Sequence, residues 1–326
     1  MLNLDIGTYY PILGVSNNEI AALASSQHLC QGFGRLSQRG TENEYIELLK
    51  GELPKDKNNV FDGIDTSWSR IAGGEAIGAI LYDIENKFNF KNPSKHLPQL
   101  LEAYSLLQNT SDVHWKKLKS EELKNLIADI TGLYLEASAE TAETNPGGIV
   151  KVTIEAINRS DANIVLQSVL IPSSDTVLDS STPLKTNEKQ TFELTLKVPL
   201  EEEYTSPYWL NEKGSLGMYK VADQKLIGKP ETPRAFHAQF EIDFDETTIT
   251  FERAIIHRYA KPDKGELYQP FEVLPEATAK FKDKVLIFPD GKSKQIPVTI
   301  KAHADNLKGT VQLCHSEGWK VDMDTQ

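Results

Sequence analysis

The alternation of apolar and polar positions changes rhythm early in the chain. "LNLDIG" at 2–7 alternates with period two and predicts a short strand. "SNNEIAALASSQHLCQ" at 16–31 then takes helical spacing, with Ser16 as N-cap and Glu19 three residues on as its capping-box partner. On that helix Ile20, Leu23, Ala24, His28 and Gln31 share one face by i, i+3 and i+4 steps. His28 and Gln31 therefore extend an apolar stripe. Buried polar groups need hydrogen bonds, so this end is expected either in a polar core network or at the rim of a cleft. A strand feeding a capped helix is half of a β-α-β crossover. Residues 1–55 are accordingly expected to be the C-terminal remnant of an α/β domain.

Residues 56–132 read as a small helical linker domain. Ile71, Ile77, Leu81, Ile84 and Phe88 mark one amphipathic helix, weakened at its start by Gly73 and Gly74. A second begins at Asn92 as N-cap with Pro93 at the first helical position, and carries Leu97, Leu100, Leu101, Tyr104 and Leu107 inward. A third, "SEELKNLIADITG", is expected to start at Ser120 and stop at Gly132.

Beyond residue 133 the period falls to two. "GIVKVTIEAINRS", "NIVLQSVLI", "KQTFELTLKVP", "FHAQFEIDF" and "TTITFERAIIHRY" predict strands separated by Pro, Gly, Asn and Asp turns. Short strands at this spacing point to an antiparallel β-sandwich over 133–250. "VKVTIEAINRSDANIVLQ" at 150–167 resembles "IPVTIKAHADNLKGTVQL" at 296–313, pairing Val152 with Val298 and Ala156 with Ala302. A second sandwich of the same type, incomplete, is therefore expected over 251–326. The expected fold class is α+β and multidomain: an α/β remnant plus a helical linker, then Ig-like sandwiches.

Composition narrows the function classes. The 326 residues carry a net charge of −12, which argues against a nucleic-acid partner because phosphate binding needs clustered Lys and Arg. No apolar run approaches the roughly 18 residues of a membrane span. "MLNLDIG" lacks the basic start and apolar core of a signal peptide, and localisation stays open. The two cysteines, Cys30 and Cys314, are too far apart in sequence to suggest a disulfide framework. The histidines stand at 28, 96, 114, 237, 257, 303 and 315, none within four positions of another, so helical metal-pair spacing is absent and no zinc site is expected from this chain alone. "GFGRLSQ" follows a helix rather than a strand and has Ser37 at the third glycine position, so it is no dinucleotide fingerprint.

"YTSPYWLNEKGSLGMYKV" at 204–221 concentrates aromatic residues on a Pro/Gly-rich loop. Tyr208 and Trp209 suit two roles: stacking on sugar rings, or packing between domains.

The strand "LDIG", followed by a helix ending in His28-Leu29-Cys30-Gln31, resembles the last strand and helix of LmbE/PIG-L-like N-deacetylases, which often end in His-x-Ser-Gln. Cys30 takes the serine position. "DIGTYYPILGVSNNEIAALASSQHLCQGFG", "KDKNNVFDGIDTSW" and "SPYWL" look like the large multidomain members found in Bacteroidetes. That resemblance implies zinc-dependent hydrolysis of an acetamide on an N-acetylglucosamine derivative or glycoconjugate, and relatives that are periplasmic or secreted. The zinc would be held by a His-Pro-Asp-Asp motif and a later His, and this chain contains no His-Pro-Asp-Asp. The resemblance thus implies a C-terminal portion, inactive alone, whose missing partner is the N-terminal catalytic domain. Only His28 and Gln31 match a family motif, and neither is a metal ligand in it. The rival expectation is a glycan-binding or scaffolding β-sandwich module built around Tyr208 and Trp209.

Overall fold

The computed structural model describes residues 2–304 and 306–322. Its strands, in chain order, are β1 (Leu2–Asp5), β2 (Tyr9–Tyr10), β3 (Val15–Ser16), β4 (Asn43–Ile46), β5 (Tyr134–Ala139), β6 (Glu143–Thr144), β7 (Ile149–Ile157) and β8 (Ile164–Ile171). They continue with β9 (Thr176–Pro183), β10 (Gln190–Lys197), β11 (His237–Phe244), β12 (Thr247–Lys261), β13 (Gly265–Pro270), β14 (Glu272–Val273), β15 (Ala277–Phe281) and β16 (Val298–Ala302). The α-helices are α1 (Asn17–Ser26), α2 (Gly74–Lys87), α3 (Leu97–Gln108) and α4 (Val113–Thr131). The architecture is α+β. The chain divides into two compact units, 1–78 and 79–326, and the division falls inside α2 instead of at 55/56 or 132/133.

In the first unit, β1 pairs antiparallel with β4, Leu2 opposite Ile46. The capping box forms as the sequence predicts: the Glu19 amide donates to Ser16 Oγ, and the Ser16 amide donates to Glu19 Oε2 at 3.0 Å. The far end of α1 differs from expectation. The helix stops at Ser26, because Ser25 and Ser26 turn their hydroxyls back onto the Ala21 and Ala22 carbonyls, both at 2.8 Å, and no basic side chain supports the last turn. Of the apolar stripe, Ile20 and Leu23 are exposed, and Ala22, one position off that face, is the buried residue of the helix.

In the second unit, α3 buries Leu97, Leu100, Leu101, Ala103 and Leu107, much as its spacing predicts. Asn92 opens a 3-10 turn over Pro93–His96 before the α-helix begins at Leu97. Helix α4 starts a full two turns ahead of Ser120. Asp112 is its N-cap, its Oδ1 accepting from the Trp115 amide at 3.0 Å, and Ser120 lies inside the helix, accepting from Gln108 Nε2 of α3 at 2.9 Å. Gly132 ends it with φ 58°, and the Leu133 amide reaches back to the Ala128 carbonyl at 2.8 Å. A Cβ at Gly132 would stand 2.8 Å from Arg159 Cβ, so glycine is required twice over there.

Eight strands form one large sheet in the order β10-β7-β5-β12-β11-β8-β9, with β13 added on β12. It curls so that its end strands approach: Thr176 Oγ1 of β9 donates to the Thr195 carbonyl of β10 at 3.3 Å. The inward face is apolar by strict alternation. Val150, Val152, Ile154 and Ala156 of β7 are buried, as are Ala238, Phe240, Ile242 and Phe244 of β11. The helices join this unit through Lys124 of α4, whose Nζ donates to the Thr250 carbonyl of β12 at 3.0 Å.

Strand β12 corrects the expected boundary at 250/251. Its first half, Thr247–Ala254, pairs with β11; Ile255 and Ile256 then pair parallel with β5, and Ile256–Lys261 antiparallel with β13. A second sandwich cannot begin at 251 because that position is mid-strand in the first sheet. The repeat likewise matches in strand register but not in burial. Val152 and Ile154 of β7 are fully buried, whereas Val298 and Ile300 are 40% and 50% exposed on the two-stranded hairpin β15–β16. That hairpin pairs with no other strand among the described residues. Glu143 of β6 holds it, with Oε1 taking Lys301 Nζ at 2.9 Å and His303 Nδ1 at 3.2 Å.

Candidate functional site

Between β10 and β11 the chain runs from 198 to 236 without a strand, making only one 3-10 turn at Tyr208–Leu210. Loops this long inside a compact domain are uncommon and usually functional or disordered. This one is pinned. The Thr205 amide donates to the Val273 carbonyl at 2.8 Å, and the Val273 amide donates back to Thr205 Oγ1 at 2.9 Å. The Tyr208 amide donates to Thr232 Oγ1 at 3.0 Å, and the Tyr208 hydroxyl donates to the Lys229 carbonyl at 3.1 Å.

Tyr208 and Trp209 are half-buried and meet edge to face, ring centroids 4.9 Å apart. Past them, Ser215 and Met218 exchange backbone hydrogen bonds at 3.0 and 3.3 Å, closing a tight reversal. Gly217 takes φ 79° in it, and a Cβ at Gly214 would stand 2.5 Å from the Met218 carbonyl oxygen. Trp209, Met218 and Tyr219, with Glu212, Lys213 and Ser215, face a cavity of about 540 Å³. Lys220 Nζ holds Glu212 Oε2 at 2.5 Å, and this hydrogen bond raises the Lys220 pKa above its ordinary value. Of these residues the sequence pattern singles out Trp209. The others carry a signal only in the closeness of two glycines to a Met-Tyr pair.

The other sequence candidates lie elsewhere. His28 and Gln31 are both exposed, so the polar core network expected for them is not formed. With α1 ending at Ser26, they fall in a turn and bond to each other, His28 Nδ1 to Gln31 Oε1 at 2.7 Å. A separate cavity of about 480 Å³ in the first unit is lined by Asp5, Tyr9, Ser16, Glu19 and Arg39 and includes neither of them. Glu19 is held below the ordinary carboxyl range, chiefly by the Ser16 amide and hydroxyl.

A charged cluster unflagged by any motif lies on the outward face of the large sheet. Glu136 of β5 and Glu155 of β7 are directly opposed. Arg258 of β12 reaches both, at 3.1 Å to Glu136 Oε1 and 3.3 Å to Glu155 Oε2, the former without hydrogen-bond alignment. Lys189 donates to Glu155 Oε1 at 2.9 Å and the Tyr134 hydroxyl to Glu136 Oε2 at 2.5 Å. Burial pushes the Tyr134 phenol up, and its hydrogen bond to Glu136 pushes it further. Donors thus engage both carboxylates, and the cluster braces three strands.

Among the described residues, no group of three or more His, Cys, Asp or Glu converges as metal ligands. Cys30 and Cys314 are both free and exposed. No helix among the described residues is long and apolar enough to cross a membrane.

No family model and no curated protein matches the chain. Among solved structures, the sporulation control protein Spo0M from Bacillus subtilis aligns with a TM-score of 0.21 and 12% identity, over 38% of this chain and 48% of Spo0M. The alkylpurine DNA glycosylase AlkC from Pseudomonas fluorescens, bound to DNA containing an abasic site analog, aligns with a TM-score of 0.21 and 10% identity, over 54% of this chain and 51% of AlkC. The matched region spans about half the length of each of these proteins. Overlaps that slight define no common fold.

Proposed function

We propose that this chain is the non-catalytic C-terminal portion of an LmbE/PIG-L-like N-deacetylase, and that residues 1–55 are the C-terminal remnant of its α/β domain, packing against the zinc-bearing part of that domain. In this reading that domain hydrolyses the acetamide of N-acetylated sugars or glycoconjugates. The eight-stranded sheet is an Ig-like sandwich whose two layers share β12, and it supports the complex without entering the chemistry.

One observation carries the proposal. Large apolar side chains in the first unit stand in solvent: Ile12 is 99% exposed, Leu36 95% and Leu49 94%, and the α1 residues Ile20 and Leu23 are exposed beside them in sequence. Covering each such side chain fully is worth about 1.5–3 kcal/mol. Exposed apolar side chains that a partner covers are drawn from contiguous patches, and these residues are the candidates for one in the first unit. The strand-then-capped-helix order of β1 and α1 is what the end of an α/β domain supplies.

The test is reconstitution. A zinc-loaded LmbE-like deacetylase domain from the same source is mixed with this chain and followed by sedimentation velocity. A 1:1 complex is expected, lost in the double variant Leu23→Asp, Leu36→Asp. Independent sedimentation of the two wild-type proteins would overturn the reading.

A further inference from the structure

We propose that the loop cavity at Trp209 is a binding site for a neutral saccharide. The inference stands apart from residues 1–55 and holds whether or not those residues seat on a deacetylase domain.

The cavity is a built feature. Three clamps order the loop: the Thr205–Val273 pair, the two hydrogen bonds of Tyr208, and the Ser215–Met218 reversal. The reversal depends on glycine at 214 and 217, since one position has no room for a Cβ and the other has positive φ. Trp209 is steadied by its edge-to-face contact with Tyr208, so a ligand meets a ring already placed, which lowers the ordering cost of binding. At about 540 Å³ the cavity falls within the ~300–1,000 Å³ range of small-molecule sites.

Its lining selects the ligand chemistry. Trp209, Tyr219 and Met218 offer flat or pliable apolar surface, suited to the C–H face of a pyranose ring. Glu212 adds an acceptor and Lys213 a donor, so the rim suits a ligand whose hydroxyls both donate and accept. Glu212 is already paired with Lys220, and the chain's net charge of −12 disfavours a polyanion at long range. A wholly apolar ligand would desolvate Lys213 without offering it a partner.

Affinity electrophoresis of the full chain tests this, in gels cast with neutral polysaccharides (β-1,4-glucan, β-1,3-glucan, α-glucan, mannan, xylan and glycol-modified chitin) and, separately, with polygalacturonate. Retardation is expected in at least one neutral gel and not in polygalacturonate. Trp209→Ala and Tyr219→Ala should each weaken retention about tenfold. Tyr82→Ala, an exposed tyrosine of α2, should leave it unchanged. Tyr219 is exposed, so Tyr219→Ala keeps the test sound should Trp209→Ala disturb the loop. No retardation in any neutral gel, wild-type retention by both loop variants, or stronger retention by polygalacturonate would overturn the proposal.

Discussion

Glu136 and Glu155 stand directly opposite each other on neighbouring antiparallel strands, each with a side chain only 8% exposed. Like charges so placed repel. The arrangement survives because the Arg258 guanidinium lies against both, with Lys189 and Tyr134 supplying one further donor to each.

Removing the guanidinium should therefore be costly. Arg258→Met leaves two carboxylates facing each other without their shared cation, and a loss of about 3 kcal/mol is expected, the lower end for breaking a buried ion pair. The double variant Arg258→Met, Glu136→Gln should recover part of it. Urea midpoints of the wild type and the variants measure both effects.

The same cluster gives stability a direction with pH. Burial by itself would raise the Glu155 carboxyl, but the Lys189 hydrogen bond and the Arg258 charge outweigh it and bring the pKa below the ordinary 4.5. A depressed carboxylate stabilises the fold above its unfolded-state pKa, and the contribution is lost as pH falls through the folded value. Stability of the second unit should fall as pH drops below about 4.5, and the fall should be shallower in Glu155→Gln. Thermal melts between pH 3 and 7 read this directly.

Gly132→Ala should cost about 1–2 kcal/mol from the left-handed backbone alone. The crowding against Arg159 adds to it. The expected signature is a lower urea midpoint with an unchanged slope.

Much of this fold is legible from residue patterns, and the failures share a cause. The Ser16–Glu19 box, the Gly132 stop and the alternation in β7, β8, β10 and β11 are local, so the chain states them outright. Strand β12 also alternates, but nothing within its own sequence says that it changes partners at Ile255. Asp112 caps α4 by accepting from the Trp115 amide, while the Ser120 hydroxyl is engaged by Gln108 of α3, a long-range partner outside the helix pattern. His28 and Gln31 follow helical spacing only if the helix continues past Ser26, and the serine hydroxyls end it. The Trp209 cavity is half legible: the aromatics and the two glycines of the reversal show, while the Thr205–Val273 and Tyr208–Thr232 clamps that seat the loop are long-range.

The two copies of the Val-Thr-Ile repeat should respond differently to mutation. Ile154→Ala removes a fully buried side chain and should cost about 2–5 kcal/mol. Ile300→Ala, on the exposed hairpin, should fall within about 0.5 kcal/mol of wild type. Equal losses in chemical denaturation would mean that Ile300 is covered in solution.

The most direct test of the central claim is hydrogen exchange on residues 2–55, with and without the zinc-bearing α/β deacetylase domain. Leu23, Leu36 and Leu49 are each exposed in the chain by itself, so β1, β4 and α1 should exchange quickly when it is alone. Adding the domain should slow exchange in these elements selectively, with β7 and β11 unchanged. Strong protection of residues 2–55 in the isolated monomer, or no change on adding the domain, would contradict the account.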